Sequence, residues 1–341
     1  MRSTLLYVVA FGGLAVADGG RARAAERCLD YADGKRLGVI DDKRLLEVSG
    51  IAASALQPGV LWVHNDSGAD TWLYAIDESG ERLAKFAVDG ADAVDWEDVA
   101  LGPCTEGGTR DCVFIADTGN NDGDRDDQTI YRVAEPEVDD PGEATEPAEA
   151  MGVVLPDGVD VEALFSDEGG ELWLVGKDDE VARLYWLGVF QADVTVDADE
   201  VAQREDLGRI TGADATADGT RIVVRSNERA WELFRSGARG VASAFRGEAL
   251  EIDLDKEAQG EAIAFDPEGA GFYTTSEGKK APLRWYRCKR FGATLTGKED
   301  AGGVIADPTE PGDAGCAGAR AELALVVGLC AVVFGGRRRA R

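Results

Sequence analysis

In Val94–Asn121, VDWEDVALGPCTEGGTRDCVFIADTGNN, the chain spells out one unit of a repeat. Acidic residues (Asp95, Glu97, Asp98) lead into a short run of small apolar residues. A turn follows, then a strand-like run, Val113–Ala116, that ends in the polar loop Asp117-Thr118-Gly119-Asn120-Asn121. The same order recurs in VSGIAAS…LWVHNDSG (Val48–Gly68) and DVEALFSDEGGELWLVGKDD (Asp160–Asp179), and again in TGADATADGTRIVVRSNE (Thr211–Glu228) and GEAIAFDPEGAGFYTTSEG (Gly260–Gly278). Alignment puts Gly50, Glu97, Glu162, Gly212 and Glu261 at equivalent lead-in positions, separated by 47, 65, 50 and 49 residues. A period of roughly 40–50 residues with several strands per unit marks a β-propeller.

Each unit divides into four strands. In the first these are Gly50–Ser54, Val60–His64, Trp72–Ile76 and Arg82–Val88, from the axis outward. The innermost runs (GIAAS, DVALG, EALFS, GADAT, EAIAF) are rich in Gly and Ala, as crowding near a propeller axis requires. The third strands (WLYAI, TIYRV, RLYWL, RAWELF, PLRWYR) carry large aromatics, which reads as packing between blades rather than a ligand cage. The long second interval comes from the acidic, Pro-bearing Glu135–Glu149, expected as a solvated excursion before an outer strand over Ala148–Leu155. Later outer strands are expected at Arg204–Ile210 and Glu248–Leu254, with a helical turn over Gly240–Phe245 before the second. The fifth unit lacks an outer strand after Cys288, and Arg36–Asp41 can fill that gap, which closes the ring without open sheet edges. The expectation is an all-β propeller of five four-stranded blades closed by an N-terminal strand. Six blades are the alternative if Cys28–Val48 holds further strands.

The 341 residues are 44% hydrophobic, enough to bury a core, and the net charge of -29 with pI ≈ 4.4 excludes a nucleic-acid partner, which needs a basic face. Residues 1–25 read as a signal peptide: Arg2, the apolar run Leu5–Ala17, then small-residue cleavage sites. The propeller domain is expected over 26–299, a flexible spacer over 300–315, and a sorting or anchoring tail over 316–341. Export permits disulfides. Cys104 and Cys112 flank a Gly-rich turn and would close a hairpin, and Cys28 and Cys288 would join the two ends of the domain. In the tail, Cys316, the apolar run Leu323–Phe334 and Arg337–Arg341 resemble myxobacterial C-terminal sorting tails. That resemblance implies processing and lipid attachment at Cys316, although a second nearby cysteine is missing; the plain reading is a membrane anchor with a positive inner flank. Both readings place a monomeric domain outside the cytoplasm, at a cell surface or outer membrane.

The phrases DWEDVA, LYAID, DTGNN and GEAIAFDPEG together resemble secreted bacterial propellers related to phytase-like esterase domains, over about Leu45–Arg287. The resemblance implies the fold and, for some members, metal-dependent ester or phosphoester cleavage; a fold alone does not fix an activity.

Within a blade the inner strand begins, and the second strand ends, on the same face. The lead-in acids Asp95, Glu97, Asp98, Asp160, Glu162 and Glu261 should therefore meet the second-strand exits there. Those exits supply His64, Asn65 and Asp66, Asp117, Asn120 and Asn121, Lys177 and Asp178, Arg225 and Asn227, and Glu277, with Glu47 and Asp214 nearby. Oxygen ligands at this density suit Ca²⁺, although the same acids could simply hydrogen-bond strand ends. The stretch Asp117–Asp127 lacks the spacing of a calcium loop. His64, the single histidine, is a candidate base or metal ligand, and multi-His zinc chemistry is excluded. Lys177 and Arg225 could neutralise the acids or hold a substrate anion. The functional expectation is a binding module for an envelope or extracellular ligand (glycan, protein or small ester). The alternatives are a metal-dependent ester, lactone or phosphoester hydrolase, with His64 or Glu97 as base and Lys177 or Arg225 on the anion, and a structural scaffold.

Overall fold

The computed structural model describes residues 26–293 apart from 67, 69, 107, 140–141, 157 and 236–239. The expected signal peptide, spacer and tail with Cys316 lie outside the described residues. Two strands, β1 (Glu26–Tyr31) and β2 (Lys35–Ile40), precede the repeat. The first blade is β3 (Val48–Ala53), β4 (Val60–Asn65), β5 (Trp72–Asp77) and β6 (Arg82–Ala87). The second is β7 (Trp96–Gly102), β8 (Cys112–Asp117), β9 (Thr129–Ala134) and β10 (Glu149–Val154). In the third, β11 (Val161–Ser166), β12 (Glu171–Gly176) and β13 (Ala182–Val189) are followed by a short β14 (Thr195–Asp197) and then β15 (Asp199–Arg204). The fourth is β16 (Gly212–Ala215), β17 (Arg221–Arg225) and β18 (Arg229–Phe234), then α1 (Val241–Phe245) and β19 (Ala249–Asp253). The fifth is β20 (Gly260–Phe265), β21 (Gly271–Ser276) and the long β22 (Ala281–Ala293).

Pairing within each blade is antiparallel in the order inner to outer, so the expectation of five blades holds. The inner strands β3, β7, β11, β16 and β20 neighbour one another in turn, and β20 returns to β3. As expected, an N-terminal strand closes the ring: β2 pairs with β22 from Lys35↔Trp285 to Ile40↔Ala281. The additional strand β1 pairs with the far half of β22, where the Cys28–Cys288 disulfide ties the two ends together. Cys104 and Cys112 are also bonded, across the β7–β8 turn.

Two differences have clear causes. The third outer strand is β15, earlier than the expected Arg204–Ile210. Leu207 and Ile210 are fully buried between blades, but in a loop, while the hydrogen-bonded edge is the polar run Asp199–Arg204. Blade 2 also gains β14, which pairs in parallel with β10 and ties the connection between β13 and β15 of blade 3 onto its neighbour.

The core is divided into five apolar clusters, each between two successive blades. One third-strand aromatic enters each of them: Tyr74, Tyr131, Tyr185, Trp231 and Tyr286. Burying such a ring contributes roughly 1.5–3 kcal/mol. Alternation along β8 shows why second strands read as continuous apolar runs. Val113 and Ile115 face blade 1, while Phe114 and Ala116 face blade 3, so neither side meets water. Near the axis, hydroxyls clasp neighbouring blades: Ser49 Oγ donates to Glu97 O at 2.5 Å and Thr211 Oγ1 to Gly260 O at 3.1 Å.

Candidate metal centre

The site is built by a defect repeated at the start of the inner strands. Pairing slips by one residue between Trp96 and Asp98, between Val161 and Ala163, and between Gly260 and Ala262, and an irregularity also falls between Val48 and Ile51. The extra residues are Glu97, Glu162 and Glu261, three of the lead-in positions. A bulge turns its residue out of the pleat, and here the three glutamates are directed to the axial opening.

There they meet residues on either side of the strands: Asp95, just before β7; Asp160, just before β11; and Asp66 and Lys177, just after β4 and β12. Two carboxylate trios result, Asp66–Asp95–Glu97 and Glu97–Asp160–Glu162, and within each trio the ligand oxygens lie within 4.8 Å of one another. Both trios can hold a metal ion, and they share Glu97. Glu97 is 2% exposed and Asp95 9%, and Glu97 Oε1 and Asp95 Oδ1 are buried without a hydrogen-bond partner among the described residues. Gly119, in the loop after β8, permits this arrangement: a Cβ there would collide with both carboxylates.

The electrostatics follow from burial and crowding. Burial, with the Asp66 and Asp160 carboxylates behind it, pushes Asp95 up to about 6. Burial and the Asp66 and Asp95 charges hold Glu97 well above the carboxylate range, only partly offset by Lys177. Glu261 is pushed up to about 8 by burial and by Glu277, to which it is hydrogen-bonded. Lys177 contacts Glu162 and lies 3.9 Å from Asp160 Oδ2. A hard divalent cation would replace the missing partners of the first trio, and an all-oxygen set suits Ca²⁺, Mg²⁺ or Mn²⁺ better than softer metals. Three carboxylates leave further positions to water or to a ligand.

Several expected participants lie elsewhere. His64 is fully buried, with its ring edge-on to Trp96 and Nδ1 bonded to Asn65 O at 2.9 Å. That acceptor is a carbonyl, so Nδ1 carries the proton, and burial lowers the ring to about 4. Arg225 is equally buried, paired with Glu257 at 2.9 Å. Neither reaches the open face, which corrects both as a catalytic base or an anion clamp there. Asp98, expected as a ligand, faces inward: it accepts Val99 N at 2.8 Å, Leu164 N at 2.9 Å and Ala213 N at 3.3 Å, and so ties three inner strands together. Asp214 does the same for Ala215 and Phe265.

Of the loop residues, Asp117 accepts Asp95 N at 2.8 Å and pairs with Arg125 at 2.7 Å. Asn120 N donates to Asp160 Oδ1 at 2.7 Å, and Asn121 bonds the Asp95 side chain. These three shape the site. Asn65 and Glu47 hold their own loop, Asp178 stabilises a turn through Glu180 N, and Asn227 donates to Gly260 O. Asp66, expected among the loop residues of this face rather than as a ligand, completes the first trio. Gly119 carried no readable signal, because close approach is a property of the folded ring.

No family model matches the sequence, and no curated protein matches it. Among solved structures, a chain of Kuenenia stuttgartiensis hydrazine synthase is similar at a TM-score of 0.40 and 9% identity, covering 69% of this chain and 70% of that one.

Proposed function

We propose that this protein is an exported, surface-attached binding module whose axial face holds one Ca²⁺ and presents it to an envelope or extracellular ligand. The observation that carries the reading is the pair of buried, unpartnered oxygens, Glu97 Oε1 and Asp95 Oδ1, in a trio of metal-ligand dimensions. Leaving a buried carboxylate oxygen unpaired costs several kcal/mol in general, which an incoming cation removes. Export is supported by the two disulfides and by the signal-like residues 1–25. Binding is favoured over hydrolysis because His64 and Arg225 are enclosed, Lys177 is engaged by Glu162, and Glu97, the other expected base, is taken up as a cation ligand.

Calorimetry on the chelator-treated protein tests the reading. The expected result is about one Ca²⁺ per chain, with binding lost in Glu97→Gln and the variant still melting cooperatively. No binding at millimolar Ca²⁺, or binding unchanged in Glu97→Gln, would overturn it.

A further inference from the structure

We propose that the axial opening contains two adjacent cation positions bridged by Glu97, and that the ammonium group of Lys177 permanently occupies the second. The inference rests on the cation reading for the first position. In both trios the ligand oxygens lie within 4.8 Å of one another, and the trios share one residue, so they define two neighbouring positions of similar kind. They differ in what already stands among the oxygens. In Glu97–Asp160–Glu162, the Lys177 nitrogen touches Glu162 and lies 3.9 Å from Asp160, with its side chain only 12% exposed. In Asp66–Asp95–Glu97, neither Asp95 nor Glu97 makes an ion pair among the described residues, and each keeps a buried oxygen without a partner. One position therefore carries its cation covalently, and the other requires one from solution.

The chemistry of the occupant matters. An ammonium group supplies one positive charge and up to three N–H donors on a flexible stem. It satisfies oxygens as a small cation does but cannot be exchanged or chelated, and it has no open coordination position. Its presence makes the site mononuclear, so the paired-metal displacement that uses two ions about 3.5–4 Å apart is closed to the native chain. Removing the ammonium should therefore create a second site for a divalent ion, because the remaining carboxylates would be buried with no counter-charge.

The test is calcium titration of the full chain by calorimetry, for the native protein, Lys177→Met and Lys177→Arg. Native protein and Lys177→Arg should each bind about one ion, and Lys177→Met about two. A further variant, Lys177→Met with Glu162→Gln, should return to about one ion, which separates a new site from general loosening. Lys177→Gln serves if Lys177→Met does not melt cooperatively, with the same expected gain. One ion in both the native protein and the neutral variants would overturn this inference and leave the cation reading standing. Two ions in the native protein would also overturn it. No ion in any of them would remove the cation reading and this inference together.

Discussion

Two regions of the propeller bury carboxylates at similar depth and treat them in opposite ways. Between blades 4 and 5, Arg221 meets Glu232 at 3.0 and 2.8 Å, and the same carboxylate takes the Tyr31 hydroxyl and Cys28 N. Nearby, Arg225 binds Glu257 at 2.9 Å and the carbonyls of Ala262 and Thr275, while Thr274 Oγ1 donates to the other Glu257 oxygen at 2.8 Å. Both oxygens of Glu232 and both of Glu257 are answered from within the chain. At the axial opening of blades 1–3, Asp95 and Glu97 are as deep and keep oxygens with no partner. The contrast teaches that a carboxylate buried in this acidic chain need not keep an unpaired oxygen, since Glu232 and Glu257 keep none. The fold supplies arginine and hydrogen bonds where it uses a carboxylate as structure. It leaves the axial acids to a proton or to a cation from outside.

The sharpest way to break the comparison is to unpair the satisfied region. Arg225→Leu leaves Glu257 buried and uncompensated, and should cost about 3–5 kcal/mol of unfolding free energy in urea, independently of calcium. A loss below about 1 kcal/mol would mean that the arginine is not what sustains Glu257, and the two regions would then be alike.

How much of this was legible in the sequence depended on whether the signal was local. The repeat, the five inner strands and the ring closure follow from periodicity and turn residues, which are local. The convergence of Asp95, Glu97, Asp160 and Glu162 followed from topology, since lead-in positions of successive blades must share a face. His64 and Arg225 were misplaced because second strands are buried on both sides, so period-two alternation cannot say which way a terminal residue points. The partner of Arg225 is 32 residues away, in the loop between β19 and β20, where no local pattern announces it. The outer strand of blade 3 was misread for the converse reason: buried Leu207 and Ile210 imitate a strand, while the hydrogen-bonded edge is polar. Nor do the bulges that aim Glu97, Glu162 and Glu261 have a residue signature; they appear only in the slip of pairing.

A second prediction sharpens the comparison through pH. Glu261 has its folded value raised to about 8, so the stability it contributes is present at low pH and lost as pH rises through 8. In chelator, lowering the pH from 8 to 6.5 should therefore stabilise the protein by about 2 kcal/mol. Below 6.5 buried His64 opposes this, because its folded value near 4 means that stability falls as the unfolded chain takes up the proton first. Melting in chelator should thus rise steeply from pH 8 to 6.5 and more slowly below it, where His64 opposes Glu261 while Asp95 still takes up its proton, and Glu261→Gln should flatten the limb between 6.5 and 8. An unchanged limb in that variant would move the proton to another carboxylate of the opening.

The smallest expected effect discriminates best, because its sign reverses with calcium. Asp95→Asn keeps an oxygen able to accept from Asn121 but removes a buried charge that faces Asp66 and Asp160. In chelator the variant should be more stable than the native protein by about 1 kcal/mol, as expected when an unpaired buried charge is neutralised. In calcium at a hundred times its dissociation constant, the native protein should gain about 2.7 kcal/mol by mass action and the variant much less, so the order inverts. Thermal melts of both proteins, with and without calcium, give the four numbers required. Curves that keep one order throughout would show that Asp95 holds no cation. They would return its carboxylate to the class occupied by Asp98, whose oxygens are met by backbone amides alone.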